Sequence, residues 1–188
     1  MRPTAAHAPS PDKEHHMAHT KRSIDEHLDE WLRDAHAMEE QAGTMLAAMA
    51  RRLEHYPDLK QRIEQHLGET REQARLIREC IGRRGSDVSA LKDLGARSLA
   101  TLQGFTSMLA ADEVVKGAIA SYAFENFEIA TYRTLITAAR TAGDADTLTV
   151  CERILPQEVA MANWLEQHLP QVVNAFLTRN PENEAASR

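Results

Sequence analysis

Apolar residues recur every three or four positions along most of the chain, which is the period of an amphipathic α-helix. The first stripe predicts a helix from about Ser23 to His55, with Ser23 as the N-cap and Pro57 just beyond its end. The second stripe predicts a helix from Asp58 to about Gly82, where glycines open a loop. The short connection between these segments predicts an antiparallel helix pair.

Two further helices are predicted in the second half of the chain. The pattern places one at about Ala111–Ala142 and the other at about Asp144–Leu177, with a kink near Leu155 or a local break expected from Pro156. Residues Ser86–Met108 predict a shorter helix within a crossover between the pairs. The sequence therefore predicts an all-α four-helix bundle, built from two antiparallel helix pairs joined by that crossover.

Length and composition agree with a single helical domain. The chain has 188 residues, of which 43% are hydrophobic and 5% aromatic, and glycine and proline are sparse. The polar segment 1–22, which carries prolines and histidines, predicts a disordered N-terminal arm. Residues 23–178 are predicted to form the bundle and residues 179–188 a disordered tail.

The net charge and the hydropathy of the chain indicate which partners it binds and where in the cell it is located. The formal net charge is −6 and no basic stripe is interleaved with aromatic residues, which argues against a nucleic-acid partner. No apolar run approaches about 18 residues, so no membrane helix is expected, and no apolar signal segment is visible at the N-terminus. Two isolated cysteines, Cys80 and Cys151, predict reduced thiols. A cytoplasmic protein is therefore predicted.

The stretch Tyr122–Leu135 places two acids on an apolar helix face. Glu125 and Glu128 are three residues apart, so they share one face, and aromatic residues flank them. A carboxylate on such a face is costly unless its charge is compensated, and metal ions are one such compensation.

An internal repeat supplies further acids. The segments His36–Glu40 and Tyr122–Asn126 share a ring, an alanine, a large hydrophobe, a glutamate and a polar residue. Each helix pair thus offers one acid on each helix, and the four acids are Glu39, Glu69, Glu125 and Glu158. Four converging carboxylates would balance two divalent ions, so the pattern predicts a dinuclear site of the kind that handles dioxygen or peroxide.

The predicted site lacks two expected histidines. A full ferritin-type site has Glu-x-x-His on its second and fourth helices, but Glu72 and Met161 stand at those histidine positions. Substitute ligands are His36, His66, Gln73 and Glu128. A site rich in carboxylate and poor in imidazole favours hard ions such as iron or manganese. The alternative is that some of these acids point to solvent.

Four segments carry a resemblance to a known family. They are Asp34–Gln41, Glu64–Leu76, Ala111–Leu135 and Glu158–Pro170. From about Ser23 to Leu177 the chain resembles the YciE/YciF family of bacterial ferritin-like stress proteins. The YAFENFEIA and AMANWLEQHLP stretches look closer to the YciE side.

The resemblance implies a rubrerythrin-like helical bundle, often dimeric, with a dinuclear metal centre and a link to bacterial stress responses. The metal positions that it implies are Glu39, Glu69, Glu125 and Glu158, with Glu128 as a candidate fifth. Asn126 stands where many relatives have histidine, and Ala162 where many have an acid. The resemblance implies no particular reaction.

Two functions are open at this point. The first is a ferritin-like protein that handles metal or peroxide during stress; lacking rubredoxin-type cysteines, it would need an external electron donor. The second is a non-catalytic helical-bundle dimer or interaction protein with a degenerate metal site, which the missing histidines favour. No organic cofactor is expected. A third reading, nucleic-acid binding through the arm, is disfavoured because the arm carries little positive charge.

Overall fold

The computed structural model describes residues 11–85 and 114–179, with side chains described from Ile24 onward. These ranges contain four α-helices and no strand. The helices are α1 (Pro11–Ala50), α2 (Pro57–Arg83), α3 (Val114–Ala142) and α4 (Ala145–Thr178). The predicted all-α class is therefore confirmed for the described part of the chain.

The start of α1 differs most from its prediction. The helix begins at Pro11 rather than at Ser23, and so takes in residues 11–22. Proline is favoured in a first helical turn, and neither glycine nor proline interrupts the chain between Asp12 and Ser23. The placement of a domain boundary at residue 22 stays a prediction.

The end of α1 also differs, because the helix stops at Ala50 rather than at His55. Residue Tyr56 has φ −131° and ψ 67°, outside the helical region. A residue before proline is restricted in this way, since the ring of Pro57 crowds its helical conformation. Pro57 therefore accounts for the non-helical conformation at Tyr56, whereas α1 itself ends earlier, at Ala50, and is followed by turns.

The remaining ends lie close to their predictions. Helix α2 extends one residue beyond its predicted bounds at each end, and α3 ends at Ala142 as expected. Helix α4 continues as helix through Pro156 and Pro170. The predicted short helix Ser86–Met108 and the tail from residue 180 lie outside the described residues.

Short turns connect the helices of each pair, so the members of each pair are antiparallel. Gly143 adopts φ +74° between α3 and α4, which is a conformation that glycine adopts without steric cost. Asp144 then caps α4, because its Oδ1 accepts from the Thr147 amide at 2.9 Å. Helix α1 also packs on α3, and α2 packs on α4.

The interior consists of two apolar layers along the bundle. One layer joins the first half of α1 to the ends of α2 and α3 and to the start of α4; it includes Leu32, Ile81, Leu135 and Ile154. The other joins the opposite ends and includes Leu53, Ile63, Ala118 and Leu165. Burial of these side chains is the main source of the fold's stability. A polar layer lies where the two meet.

Arg84 ties three helices together at one end of the bundle. Its Nε donates to Asp29 of α1 at 2.5 Å, and its Nη1 donates to Asp144, the cap of α4, at 2.8 Å. Asp25 lies within 3.3 Å of Nη2. These aspartates raise the pKa of the Arg84 guanidinium further, although burial opposes them.

In the described part of the chain, no helix is long and apolar enough to cross a membrane.

Candidate metal centre

All four helices contribute an ionisable side chain to the polar layer. Each of these side chains lies on the inner face of its helix, one or two turns from the apolar residues that anchor that face. The residues are Glu39 of α1, His66 of α2, Glu125 and Glu128 of α3, and Glu158 of α4. None is more than 2% exposed. Each of these side chains is therefore almost entirely shielded from bulk water.

His66 lies at the centre of this layer. Its Nε2 is 3.1 Å from Glu125 Oε2 and 3.5 Å from Glu158 Oε2. Its Nδ1 is 2.8 Å from Glu69 Oε2, one helical turn along α2. The imidazole thus presents one nitrogen to two buried acids and the other to an acid nearer the surface.

Four residues form a group that could hold a metal ion. His66, Glu125, Glu128 and Glu158 each offer a ligand atom, and these atoms all lie within 4.8 Å of one another. Nitrogen and carboxylate oxygen are donors suited to iron, manganese and zinc.

Glu39 lies beside this group and is held by α3. The hydroxyl of Tyr132 donates to Glu39 Oε1 within the core. Tyr132 is fully buried, so its hydroxyl needs such a partner. Tyr132 follows Glu128 by four residues, so the helical period places both on one face, but the sequence does not indicate that the Tyr132 hydroxyl reaches Glu39.

Gln73 holds the acid of α4. Its Nε2 donates to Glu158 Oε1 at 2.5 Å and to Gln157 Oε1 at 2.9 Å. Gln73 was one of the substitute ligands suggested by the sequence. In the structure its amide nitrogen orients a carboxylate, while its Oε1 has no hydrogen-bond partner.

Electrostatics favour the uncharged forms of three of the buried acids, Glu39, Glu125 and Glu128, when no cation is bound. Burial raises the pKa of Glu125 to about 7, although His66 opposes this shift. Burial, together with the charge of Glu158, raises the pKa of Glu39 and Glu128 well above their usual range.

The two members of the His66–Glu69 pair shift in opposite directions. Burial lowers the pKa of His66, but the acids around it outweigh burial, so its pKa lies well above the ordinary value. The hydrogen bond with His66 lowers the pKa of Glu69 to about 2. Glu69 is therefore an ionised carboxylate that stabilises the charged imidazole.

Several oxygens of the layer have no hydrogen-bond partner. Buried polar atoms in proteins are nearly always paired, so such a set is unusual. The unpaired carboxylate atoms are Glu39 Oε2, Glu125 Oε2, Glu128 Oε1 and Glu158 Oε2. Two of them face His66 Nε2 at the distances given above. A bound cation would satisfy these oxygens, so the residues fit a metal site.

The structure separates the six candidate ligands into three positions. His66, Glu125, Glu128 and Glu158 converge on one point. Glu39 is buried next to them. Glu69 lies on the outer side of His66, where Arg62 at 3.4 Å and Gln65 at 3.0 Å also contact it.

Other residues singled out in the sequence lie elsewhere. His36 is buried but faces Glu40 at 3.9 Å, and burial lowers its pKa. Asn126 is exposed and donates to the Tyr122 carbonyl at 2.8 Å. Ala162 is buried next to the apolar layer that contains Met161. Asn126, which stands where many relatives have histidine, therefore lies outside the buried polar layer.

Comparison with known proteins agrees with this fold. Residues 23–178 match the family model described as "Domain of unknown function (DUF892)". A protein of Xanthomonas campestris pv. campestris is 43% identical, with a TM-score of 0.68 over 82% of this chain and 96% of that one.

Two further solved structures are similar. YcfI of Rhodopseudomonas palustris is 26% identical, with a TM-score of 0.59 over 76% of this chain and 92% of that one. The E. coli stress protein YciF is 23% identical, with a TM-score of 0.66 over 80% of this chain and 97% of that one. At that identity the likeness to YciF shows the fold alone.

Proposed function

The chain belongs to the DUF892 family and is a YciE/YciF-like protein, and from this premise we propose that its buried polar layer is a ferritin-like metal centre. The observation that carries the proposal is the set of four fully buried glutamates around one histidine, with carboxylate oxygens that lack partners. An isolated buried carboxylate is costly, and four together are costlier because they repel one another.

Charge balance supports two divalent ions of iron or manganese. Glu39, Glu125, Glu128 and Glu158 carry −4 when ionised, which two such ions would neutralise while His66 binds as the neutral imidazole. In this assignment Glu69 holds His66 in orientation through Nδ1, as outer carboxylates commonly do for metal-bound histidines.

A pair of such ions supplies redox chemistry toward dioxygen or peroxide when bound. The chain's own residues bind and orient the ions and exclude bulk water from them. The proposed role is therefore the handling of metal or peroxide during stress. An external electron donor, a cytoplasmic location, a homodimeric state and a place nearer the YciE side of the family stay predictions.

A second candidate is a non-catalytic helical-bundle dimer or interaction protein whose metal site has degenerated. One observation favours it: protein groups already satisfy one oxygen each of Glu39 and Glu158, through Tyr132 and Gln73. Protonation of Glu39, Glu125 and Glu128 would then replace metal binding, which the raised pKa values of these three acids permit.

Elemental analysis separates the two candidates. The full chain is expressed without an affinity tag and with the four arm histidines (His7, His15, His16 and His19) replaced by alanine, so that they bind no metal. The protein is loaded anaerobically with Fe²⁺ or Mn²⁺, beside a Glu125→Ala variant and an exposed-acid control, Glu40→Ala. The metal proposal expects about two equivalents in the parent and the control, and loss in Glu125→Ala.

A parent protein that retains less than about 0.2 equivalents would contradict the metal proposal. The second candidate then expects Glu125→Ala to be neutral or stabilising, because the substitution removes a buried acid without a metal partner. Thermal unfolding of the parent and the variant measures this difference.

A further inference from the structure

A surface groove between α1 and α2 reaches Glu39, at the edge of the buried polar layer. Its volume is about 480 Å³, and Glu39 lies in its lining. A second cavity, next to Glu125, has about 10 Å³, which is room for no more than one water molecule. Among the described residues, the groove is therefore the wider of these two approaches to a carboxylate of the buried polar layer. We propose that it is the route by which small anions reach the metal centre, an inference that rests on the proposed function.

At the inner end of the groove lies a carboxylate oxygen that has no hydrogen-bond partner. Glu39 is 1% exposed, and its Oε1 accepts from Tyr132 while its Oε2 has no hydrogen-bond partner. A buried carboxylate oxygen without a partner marks a place where a further group binds. A solute that travels along the groove meets this carboxylate at the edge of the cluster.

Small side chains keep the groove open. Its walls are lined by Gly43, Ala47, Ala48 and Ala74. Gly43 follows Glu39 by one helical turn, and a methyl group there would meet Leu67 and Thr70 atoms only at 3.9 Å, an ordinary contact. Packing therefore does not require glycine at this position. Glycine within a helix destabilises it relative to alanine, so an open groove is a reason for its presence.

Positively charged side chains at the surface of the groove favour the entry of anions. Arg51 and Arg71 line the groove, and both are exposed. Within the part of the chain that the structure describes, neither makes an ion pair. The one acid at the surface of the groove is Glu40. Two guanidinium groups against one carboxylate attract anions and oppose the approach of cations, so the groove suits an anionic ligand better than the metal ion.

Azide tests the route as a small anionic probe. The full chain, with the arm histidines replaced as above, is loaded with Co²⁺, whose visible spectrum responds to a new ligand. Azide association is followed by stopped-flow absorbance in the parent and in Gly43→Leu, whose side chain fills the groove. The expected result is an association rate at least about tenfold lower, with cobalt stoichiometry unchanged.

Two further variants sharpen the test. Arg71→Gln leaves the core untouched and is expected to lower the azide rate about two- to fivefold and to weaken its dependence on ionic strength. Thr137→Leu adds similar bulk to a groove of about 520 Å³ between α1 and α3, which contains no cluster residue. This control is expected to associate with azide at the parent rate.

The outcomes separate the route from the metal centre. Cobalt that binds in every variant, with azide rates unaffected by Gly43→Leu and Arg71→Gln, would overturn the route and leave the proposed function standing. Cobalt bound without any spectral response to azide would also overturn the route. A parent protein that binds no cobalt would overturn both.

Discussion

Glu69 lies on the outer side of the central histidine, and its Oε2 is 2.8 Å from the Nδ1 of His66. The half-buried carboxylate fixes which nitrogen of His66 faces the cluster and keeps the imidazole from rotating. Such outer partners affect metal affinity without binding the metal themselves.

Replacing Glu69 with glutamine is expected to weaken metal binding without removing the site. Loss of the charged partner leaves His66 a poorer and less well oriented ligand, so affinity for Mn²⁺ should fall roughly 10- to 100-fold. Titration calorimetry measures the affinity, with Glu64→Gln as an exposed-acid control on the same helix. A stoichiometry that drops at saturating metal would instead make Glu69 a ligand.

The stability of the metal-free protein depends on pH through two individual residues, Glu125 and His66. Burial raises the pKa of Glu125 to about 7, and the surrounding acids raise the pKa of His66. For both groups the folded state holds its proton more tightly than the unfolded state does. Their contribution to stability is therefore complete at low pH and is lost as pH rises through the folded pKa values.

The free energy of unfolding of the metal-free protein should thus fall as pH rises from about 4.5 to 8, by roughly 1–3 kcal/mol from Glu125. Urea unfolding in the presence of a chelator measures this fall. Glu125→Gln should flatten the profile over that interval. A metal-free protein that is more stable at pH 8 than at pH 5 would show that the buried acids are ionised and compensated by protein groups.

Among elements, one side chain links the end of α2 to α1 and to the cap of α4. Arg84 extends past the last turn of α2 to Asp29 and Asp144 and is only 14% exposed. Charge-assisted hydrogen bonds of this kind are stronger than neutral ones, and the two aspartates are left unpaired when the arginine is removed. Arg84 therefore couples the two helix pairs at this end.

Arg84→Ala is expected to lower the free energy of unfolding by about 1–3 kcal/mol. The matched control is Arg75→Ala, which removes an exposed arginine that pairs with Glu72 and Glu79 within α2 alone. The control should show no measurable change in thermal stability, because water screens its pairs. Equal losses in the two variants would mean that Arg84 contributes only a local helix contact.

At the scale of the whole molecule, metal binding and folding are linked. With Glu39 included, the proposed ligands come from four helices, so the proposed site exists only when the two helix pairs are packed together. A metal that binds the folded chain alone stabilises it by mass action.

Addition of Mn²⁺ at about 100 times its Kd should therefore stabilise the protein by about 2.7 kcal/mol for each ion bound and raise its Tm. Scanning calorimetry with and without metal measures the shift, and a chelator should reverse it. Glu125→Ala should show a much smaller shift. A rise in Tm that is equal in this variant would place the bound metal outside the cluster.

Local patterns were sufficient to locate the helices because periodicity and turn residues act over a few positions. Pro57 and Gly143 mark two of the observed turns, and most described helix ends lie within one residue of their predictions. The start of α1 was missed because the arm's polar composition resembles that of a disordered segment, while its backbone continues the helix from Pro11.

The same local information indicated which acids lie inward. Glu39, Glu125, Glu128 and Glu158 stand on apolar faces in the sequence, and the structure buries all four. Glu69 was also predicted to face inward, but it is half-buried on the outer side of His66. A residue's side of a helix follows from the helical period and its apolar neighbours, which the chain itself specifies.

Only the tertiary structure decided which of these groups meet. It brought His66 to Glu125 and Glu158, turned Glu69 to the outer side of the imidazole, and joined Tyr132 to Glu39. These contacts cross between helices, so they depend on how far each helix is rotated and shifted against its neighbours. The rotation and the shift are set by side chains packed throughout the bundle, so no short stretch of sequence determines them.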